Sequence, residues 1–320
     1  MHWHEYVPVW PALALIMLLA NRLLLLPAAR APLLPVAVVL QRLAQRVHPD
    51  IRRSRFQQQL SGSLALLLIT IIPLAIVYCL YLISELPLII DLLILYFCLA
   101  GRQALLQAKA VANNLQRQQL NLARSQAKPL LLRDRQNLSA MGLSKACTES
   151  IVLQQAANQV AVVGWFMLGG GLLVLAYTLL QTAARQWNSK LPHYRHFGRS
   201  AALCYQVAQA PAQLLSAILL ALQTGMLPAW RSYRASQNLY FNWPGRVLLA
   251  AAASALNTTL GGPAYYNGDK TARQRIGLGQ APDFSVILRS ILVIKAQQTA
   301  LILLLSTAIA CYIASSLLLS

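Results

Sequence analysis

The chain has 320 residues, of which 57% are hydrophobic and only 11% charged, with a mean hydropathy of +0.52 and a formal net charge of +19. Soluble domains carry about 25% charged residues, so this composition excludes an ordinary soluble protein and defines an all-α, polytopic integral membrane helical bundle. The basic excess does not require nucleic acid, because Lys and Arg collect in cytoplasmic loops and beside anionic headgroups of the lipid bilayer.

The first apolar segment is 7–26. His2, His4 and Glu5 stand before it in place of the basic start of a signal peptide, so it reads as a retained span. A basic stretch, 28–62, separates it from a second span at 64–82. Residues 87–100 return as a hairpin after a turn at Ser84 and Glu85. Asp91 interrupts that returning segment. An acid within a span is a functional candidate, and the alternative is a carboxylate near the interface paired with an Arg.

The longest polar stretch, 101–158, carries eight basic residues between Arg102 and Lys145 and a single acid, Asp134. Its apolar residues recur at helical spacing, which predicts one or two amphipathic helices on the membrane or over the spans. Three apolar segments follow at 160–180, 201–227 and 247–260. They are interrupted at Gly169–Gly171, at Pro211 and at Asn257–Thr259 respectively. The last span is 300–319. All polar stretches between these segments are basic, and single crossings would place consecutive loops on opposite sides. The charge pattern therefore favours re-entrant or broken helices, both termini outside, and the basic stretches together in the cytoplasm. Interrupted backbone is tolerated at membrane depth where it is buried or lines a cavity. The whole is expected to form one domain over 1–320, with a long cytoplasmic loop at 101–158 and a motif loop at 260–283.

Candidate chemistry is sparse. Cys79, Cys98, Cys147, Cys204 and Cys311 make no CxxC pair and read as core residues. His193 and His196, three apart, read as a polar or interfacial pair. No phosphate-binding glycine motif or HExxH occurs, and no strand-rich region stands out to host a nucleotide fold. Asp50, Asp134, Glu149, Asp269 and Asp283 are the acids expected on the cytoplasmic side, and only they can supply a Mg²⁺ there.

The stretch "LGGPAYYNGDKTARQRIGLGQAP", 260–282, has a chemistry of its own. Gly261, Gly262 and Pro263 end an apolar segment in a turn, and Gly268, Gly277 and Gly279 permit close backbone approach to a ligand. Lys270, Arg273 and Arg275 suit phosphate or carboxylate, and Tyr265 and Tyr266 add flat rings with hydroxyl handles. Two readings stay open from these residues alone: an anion-binding loop, or a cationic interfacial loop with aromatic anchors.

"LGGPAYYNG" at 260–268, continued by "RIGLGQAP" and "ILRSILVI", resembles the C-terminal signature of the CobD/CbiB family of adenosylcobinamide-phosphate synthases from cobalamin biosynthesis. "LAR" at 122–124, "RD" at 133–134, "LSAMGLSKA" at 138–146 and "ES" at 149–150 follow that family's order, as do "WFMLGG", "YRHFGRSAA" and "PAQL" further on. The resemblance implies a multi-pass protein of the bacterial inner membrane. It implies ATP- and Mg²⁺-dependent amide formation between adenosylcobyric acid and an aminopropanol phosphate. It assigns Arg133, Asp134 and Glu149 to the nucleotide–metal end, with Asp134, Glu149 and Asp269 as metal ligands. The loop residues Gly261, Gly262, Tyr265, Tyr266, Gly268, Lys270, Arg273 and Arg275 are assigned to phosphate or the corrinoid rim. A homo-oligomer is left open by the sequence.

This chain also departs from the family pattern. Leu153–Gln154 and Ala157–Asn158 replace Glu-Asn and Asp-Gly, and Tyr177–Leu180 reads without the usual terminal acid. Tyr205–Gln206 stands for an acidic pair, and Gln213 for an Arg. The alternative is therefore a non-catalytic ligand-sensing or regulatory protein similar to the AmpE proteins. A transporter is a third reading, supported by interrupted spans but lacking intramembrane charges beyond Asp91.

Cysteines placed at Ser125, Ser189 and Ser236 are expected to stay unlabelled by an impermeant thiol reagent added outside intact cells. Ready labelling of any of them overturns the proposed orientation.

Overall fold

The computed structural model describes residues 9–23, 33–48, 54–99, 102–236, 242–266, 269–271 and 273–319. Five helical stretches among the described residues are long and apolar enough to cross a membrane: Arg55–Ile83, Pro87–Gln116, Ala140–Gln186, Arg199–Thr224 and Phe284–Ser315. The protein is a polytopic helical membrane protein, as its composition dictates. The chain divides into two compact units. One comprises Met1–Ala100, Val162–Ala208 and Ile302–Ser320, and the other Gly101–Ala161 and Gln209–Leu301.

The first unit begins with α1 (Trp10–Leu23), whose 14 described residues rise only about 21 Å. That is short of the apolar core of a bilayer, about 30 Å, so the span expected over 7–26 is a shorter helix in its described part. After α2 (Leu33–Val47), the chain forms the hairpin that the sequence predicts. Helix α3 (Arg55–Ile83) ends at Ser84, and α4 (Pro87–Cys98) starts with Pro87 at its first turn, where a missing N–H costs nothing. Along α3, Leu64, Ile71, Ile76 and Ile83 are exposed, as a helix facing lipid requires. Gly62 lets α3 press against another backbone: a Cβ there would lie 2.0 Å from the Phe197 carbonyl oxygen. Around that contact, the Trp187 indole N–H donates to the Leu40 carbonyl at 3.1 Å. His48 stacks on Phe197 and bonds the His193 carbonyl through Nε2 at 2.9 Å. His193 thus serves an aromatic core as a backbone acceptor.

Helix α8 (Ala161–Gln186) is broken where the glycines predict, with Gly169 at φ −166°, ψ 32° and Gly170 at φ 61°, ψ −155°. A break exposes backbone donors, which lipid cannot satisfy. The Asp91 carboxylate meets that need: Oδ1 accepts the Gly171 N–H at 2.7 Å and the Tyr81 hydroxyl. Neither sequence reading of Asp91 described this. Among the described residues it pairs with no Arg; it caps a half-helix. The interruption expected at Pro211 does not occur. Helix α9 (Arg199–Thr224) runs continuously through Pro211, because one lost N–H leaves the flanking helical bonds in place. The cysteines also divide: Cys98 and Cys147 are buried, while Cys79, Cys204 and Cys311 are exposed.

In the second unit, α5 (Arg102–Gln116) and α6 (Leu120–Gln126) are the amphipathic helices expected of the long polar stretch. They bury Leu105, Val111, Ala112 and Ala123 in a core shared with α7 (Ala140–Gln155) and α11 (Trp243–Ala255). Helix α11 is buried along Leu248–Ala253, and its alanines allow close approach by α10 (Met226–Ala235). It ends as Asn257 takes a positive φ of 48°, the interruption that the sequence places there. A π turn, Ala156–Val160, links α7 to α8.

The all-α expectation omitted one feature. The motif loop is an antiparallel hairpin of β1 (Leu260–Gly261), β2 (Ala264–Tyr266), β3 (Asp269–Thr271) and β4 (Arg275–Ile276). Leu260 pairs with Ile276 in the inner ladder and Tyr265 with Lys270 in the outer one. The strands, of two or three residues each, are too short to show an alternating pattern. Helix α12 (Phe284–Leu319) follows, with Asp283 before its first turn. Asp283 Oδ1 accepts from the Ser285 hydroxyl at 2.7 Å and the Val286 N–H at 3.3 Å. These bonds, led by Ser285, hold its carboxyl below the usual range, so this acid is engaged at a helix start.

Replacing Asp91 by Leu strands two buried donors, at about 1–3 kcal/mol each. Asp91→Leu should therefore lower the thermal unfolding midpoint in detergent well beyond Asp91→Asn, which keeps an acceptor. Gly62→Ala should also destabilise, by about 1–3 kcal/mol as expected of overpacking.

Candidate anion-binding site

The second unit gathers its charges around one buried carboxylate. Glu149, 4% exposed, sits on α7 nearly three turns after the Ser139 cap, whose hydroxyl accepts the Gly142 N–H at 3.2 Å. Glu149 Oε2 lies 3.6 Å from Arg133 Nη2 and 3.5 Å from Arg273 Nη1, and all three side chains are more than nine-tenths buried. Its other oxygen, Oε1, accepts the Gly261 N–H at 2.7 Å. Only glycine suits position 261: φ is +74°, and a Cβ would lie 2.3 Å from the Gln274 carbonyl oxygen.

Lys145 stands one helical turn before Glu149 and feels the charges of Glu149, Arg275 and Arg133. Its Nζ lies 3.4 Å from where a Cβ on Gly262 would be. Glu149 therefore offsets only one of the positive charges in its neighbourhood. The residual field is positive, in a place that excludes much of the water, which is the setting that binds phosphate or a developing oxyanion.

Other motif residues position this cluster. Arg124 Nε and Nη2 donate to the Leu138 carbonyl at 3.0 and 2.7 Å, tying α6 to the start of α7. The Ser150 hydroxyl and Gln154 amide donate to the Leu130 carbonyl, fixing the strand of chain that leads to Arg133. The Asp134 N–H donates to the Tyr265 carbonyl at 2.9 Å, which joins the Arg133–Asp134 segment to β2.

The structure thus brings together Arg133, Glu149, Gly261, Gly262 and Arg273, residues assigned from sequence to two separate ends of a site. Arg275 and Tyr265 are exposed on the hairpin. Tyr266, Asp269 and Lys270 are placed in its strands, their side chains lying outside the described residues, as does Gly268 altogether. The glycines act differently from expectation. Gly261, Gly277 and Gly279 bring backbone against backbone, at Gln274, Thr258 and Asn257, rather than opening toward a ligand. Lys145, Arg124 and Ser150 escaped the sequence reading as site residues. The four-residue spacing of Lys145 and Glu149 was the available signal.

Among the described residues no group of three His, Cys, Asp or Glu side chains is placed to hold a metal. The donors around Glu149 suit a counter-ion that orients two guanidiniums, and they leave its oxygens poorly placed for Mg²⁺. Asp134 is exposed beside Arg133 and suits a metal that arrives with phosphate.

A helical membrane fold with a buried, basic, hairpin-capped site defines the class of protein, and comparison with known sequences specifies it. A family model described as CobD/Cbib protein matches residues 14–294. The chain belongs to the CobD/CbiB family. The cobalamin biosynthesis protein CobD of Chromobacterium violaceum is 28% identical over 206 residues, covering 64% of this chain and 66% of that protein. The protein of the same name from Stutzerimonas stutzeri is 30% identical over 192 residues, covering 60% and 63%. That of Mycobacterium tuberculosis is 28% identical over 207 residues, covering 62% and 66%. The matches thus span just under two thirds of these relatives. No solved structure matches the chain.

Glu149→Gln should lower the unfolding midpoint, because it removes the negative charge that pairs with the buried Arg133 and Arg273. Added pyrophosphate should restore the midpoint, and by more than it raises the wild type; chloride at equal ionic strength should not.

Proposed function

We propose that this protein serves cobalamin biosynthesis as an inner-membrane ligase, joining adenosylcobyric acid to an aminopropanol phosphate with ATP. The observation that carries this reading is the convergence of Arg133, Arg273 and Lys145 on Glu149 beneath the hairpin. Family membership and the printed names of the relatives support the pathway.

Amide formation from a carboxylate requires that one of its oxygens become a leaving group. ATP supplies this by transferring a phosphoryl or adenylyl group to the carboxylate, and the amine then forms the C–N bond as the phosphate-bearing oxygen departs. The incoming ammonium loses its protons to the surroundings along the way. The chain's own part is to bind and to orient. Arg133 and Arg273 hold phosphate oxygens and stabilise the charge that develops on them. Glu149 keeps the two guanidiniums in place. Lys145 adds a mobile donor on the same helix face. Asp134 would hold a Mg²⁺ that arrives with the nucleotide, and the ion would supply charge neutralisation when bound.

A non-catalytic ligand-binding role is favoured by the neutral residues at Leu153–Gln154, Tyr205–Gln206 and Gln213, where the resemblance leads to charged ones. One assay separates the two. Purified protein given ATP, Mg²⁺, adenosylcobyric acid and aminopropanol phosphate should form the amide, as read by mass spectrometry. Arg273→Gln should reduce kcat/KM by about 10²-fold or more, and Asp134→Asn should abolish complementation of a synthase-deficient strain. Tight substrate binding without turnover would establish the non-catalytic role instead.

A further inference from the structure

A second polar cluster lies in the same unit, built from amides. Gln155 Nε2 donates to Gln159 Oε1 at 2.7 Å, and Gln155 Oε1 accepts from Gln298 Nε2 on α12 at 3.2 Å. Beside Gln298, Gln297 Nε2 donates to the Ser216 carbonyl on α9 at 3.3 Å. On the same helix, Gln213 Oε1 accepts from Asn242 Nδ2, ahead of α11, at 3.4 Å. Gln209, Gln213 and Ser216 are spaced four and three apart, so they share one face of α9.

These groups are deeply buried and none is charged: Gln155 is 3% exposed, Gln159 4%, Gln213 3% and Gln297 2%. Amides that only fasten helices together satisfy one another. Here two groups are left over. Gln209, 7% exposed, makes no hydrogen bond among the described residues, and the buried Ser216 hydroxyl has none either. Each primary amide has two donors and a carbonyl acceptor, so the face of α9 keeps hydrogen-bonding capacity that its neighbours do not use. The π turn, Ala156–Val160, itself carries Gln159, and such turns recur at functional sites.

We infer that this cluster binds a neutral ligand edged with primary carboxamides. Resting on the function proposed above, it takes the carboxamide rim of the corrinoid while the Glu149 cluster takes phosphate. An amide ligand presents a donor and an acceptor side by side, as the Gln209 and Gln213 side chains do. A charged ligand would find no counter-charge among these residues, and an acyl chain would leave Gln209 and Ser216 unmet. Gln155 and Gln159 follow Glu149 by six and ten residues, about 9–15 Å along the helix at its usual rise. One extended ligand can therefore reach both clusters.

Dicyanocobinamide, a corrinoid with carboxamide side chains and no phosphate, is the probe. Its binding to detergent-purified protein is read by tryptophan quenching, alongside thermal unfolding. Wild type should bind it, and Gln209→Met should weaken binding about tenfold. The unfolding midpoint of that variant should stay level or rise, because the lost amide makes no hydrogen bond among the described residues. Ser216→Ala should also weaken binding, and it carries the test if Gln209→Met fails to fold. Unchanged affinity in both variants overturns this inference and leaves the ligase reading standing. Absence of corrinoid binding by wild type overturns both.

Discussion

A carboxylate buried under two guanidiniums organises the second unit. Glu149 forms an ion pair with both Arg133 and Arg273, lies one helical turn from Lys145, and also receives the Gly261 N–H. Without it, the guanidiniums of Arg133 and Arg273 would be buried unopposed, and the desolvation cost of each would fall on the fold. With it, three separated stretches of chain meet at one point: the segment before α7, α7 itself, and the hairpin that follows α11. The same balance suits the proposed function. A single negative charge is sufficient to hold the arginines in position and too little to neutralise them, which leaves affinity for a further anion.

The first unit solves a different problem by similar means. A glycine pair breaks α8 inside an apolar environment, and Asp91 with Tyr81 satisfies what the break exposes. This buried acid is thus engaged by backbone and hydroxyl donors. Charge in this protein is used sparingly. Where it occurs away from the polar loops, each carboxylate has named donors; where polarity without charge suffices, as along Gln209, Gln213 and Ser216, amides and a hydroxyl take its place.

Much of the fold was legible in local sequence. Hydropathy located the hairpin of α3 and α4 to its turn at Ser84–Glu85, because an apolar run and a polar tip are properties of neighbouring residues. Gly169–Gly171 and Asn257 announced real interruptions for the same reason, since glycine and asparagine tolerate backbone angles that other residues resist. Pro211 misled. Its effect depends on whether the surrounding helix is held by packing, which a local rule cannot register. The hairpin at 260–276 was missed because strands of two or three residues are too short to carry a periodic signal, and the inner ladder joins residues remote in sequence, Leu260 to Ile276.

The sequence by itself determined the class: a basic, apolar chain that must satisfy its backbone in helices, with motifs that carry its family. It also supplied the members of the site, since Arg133, Glu149, Gly261 and Arg273 were all named from their motifs. Tertiary structure alone decided their relations. That Glu149 is a counter-ion, that Lys145 belongs beside it, and that Arg124 and Ser150 position the chain around it all depend on distances between segments remote in sequence. Burial and Coulomb interaction act through space. A string of residues specifies which charges exist, and only the folded chain specifies which of them meet, and how far from water.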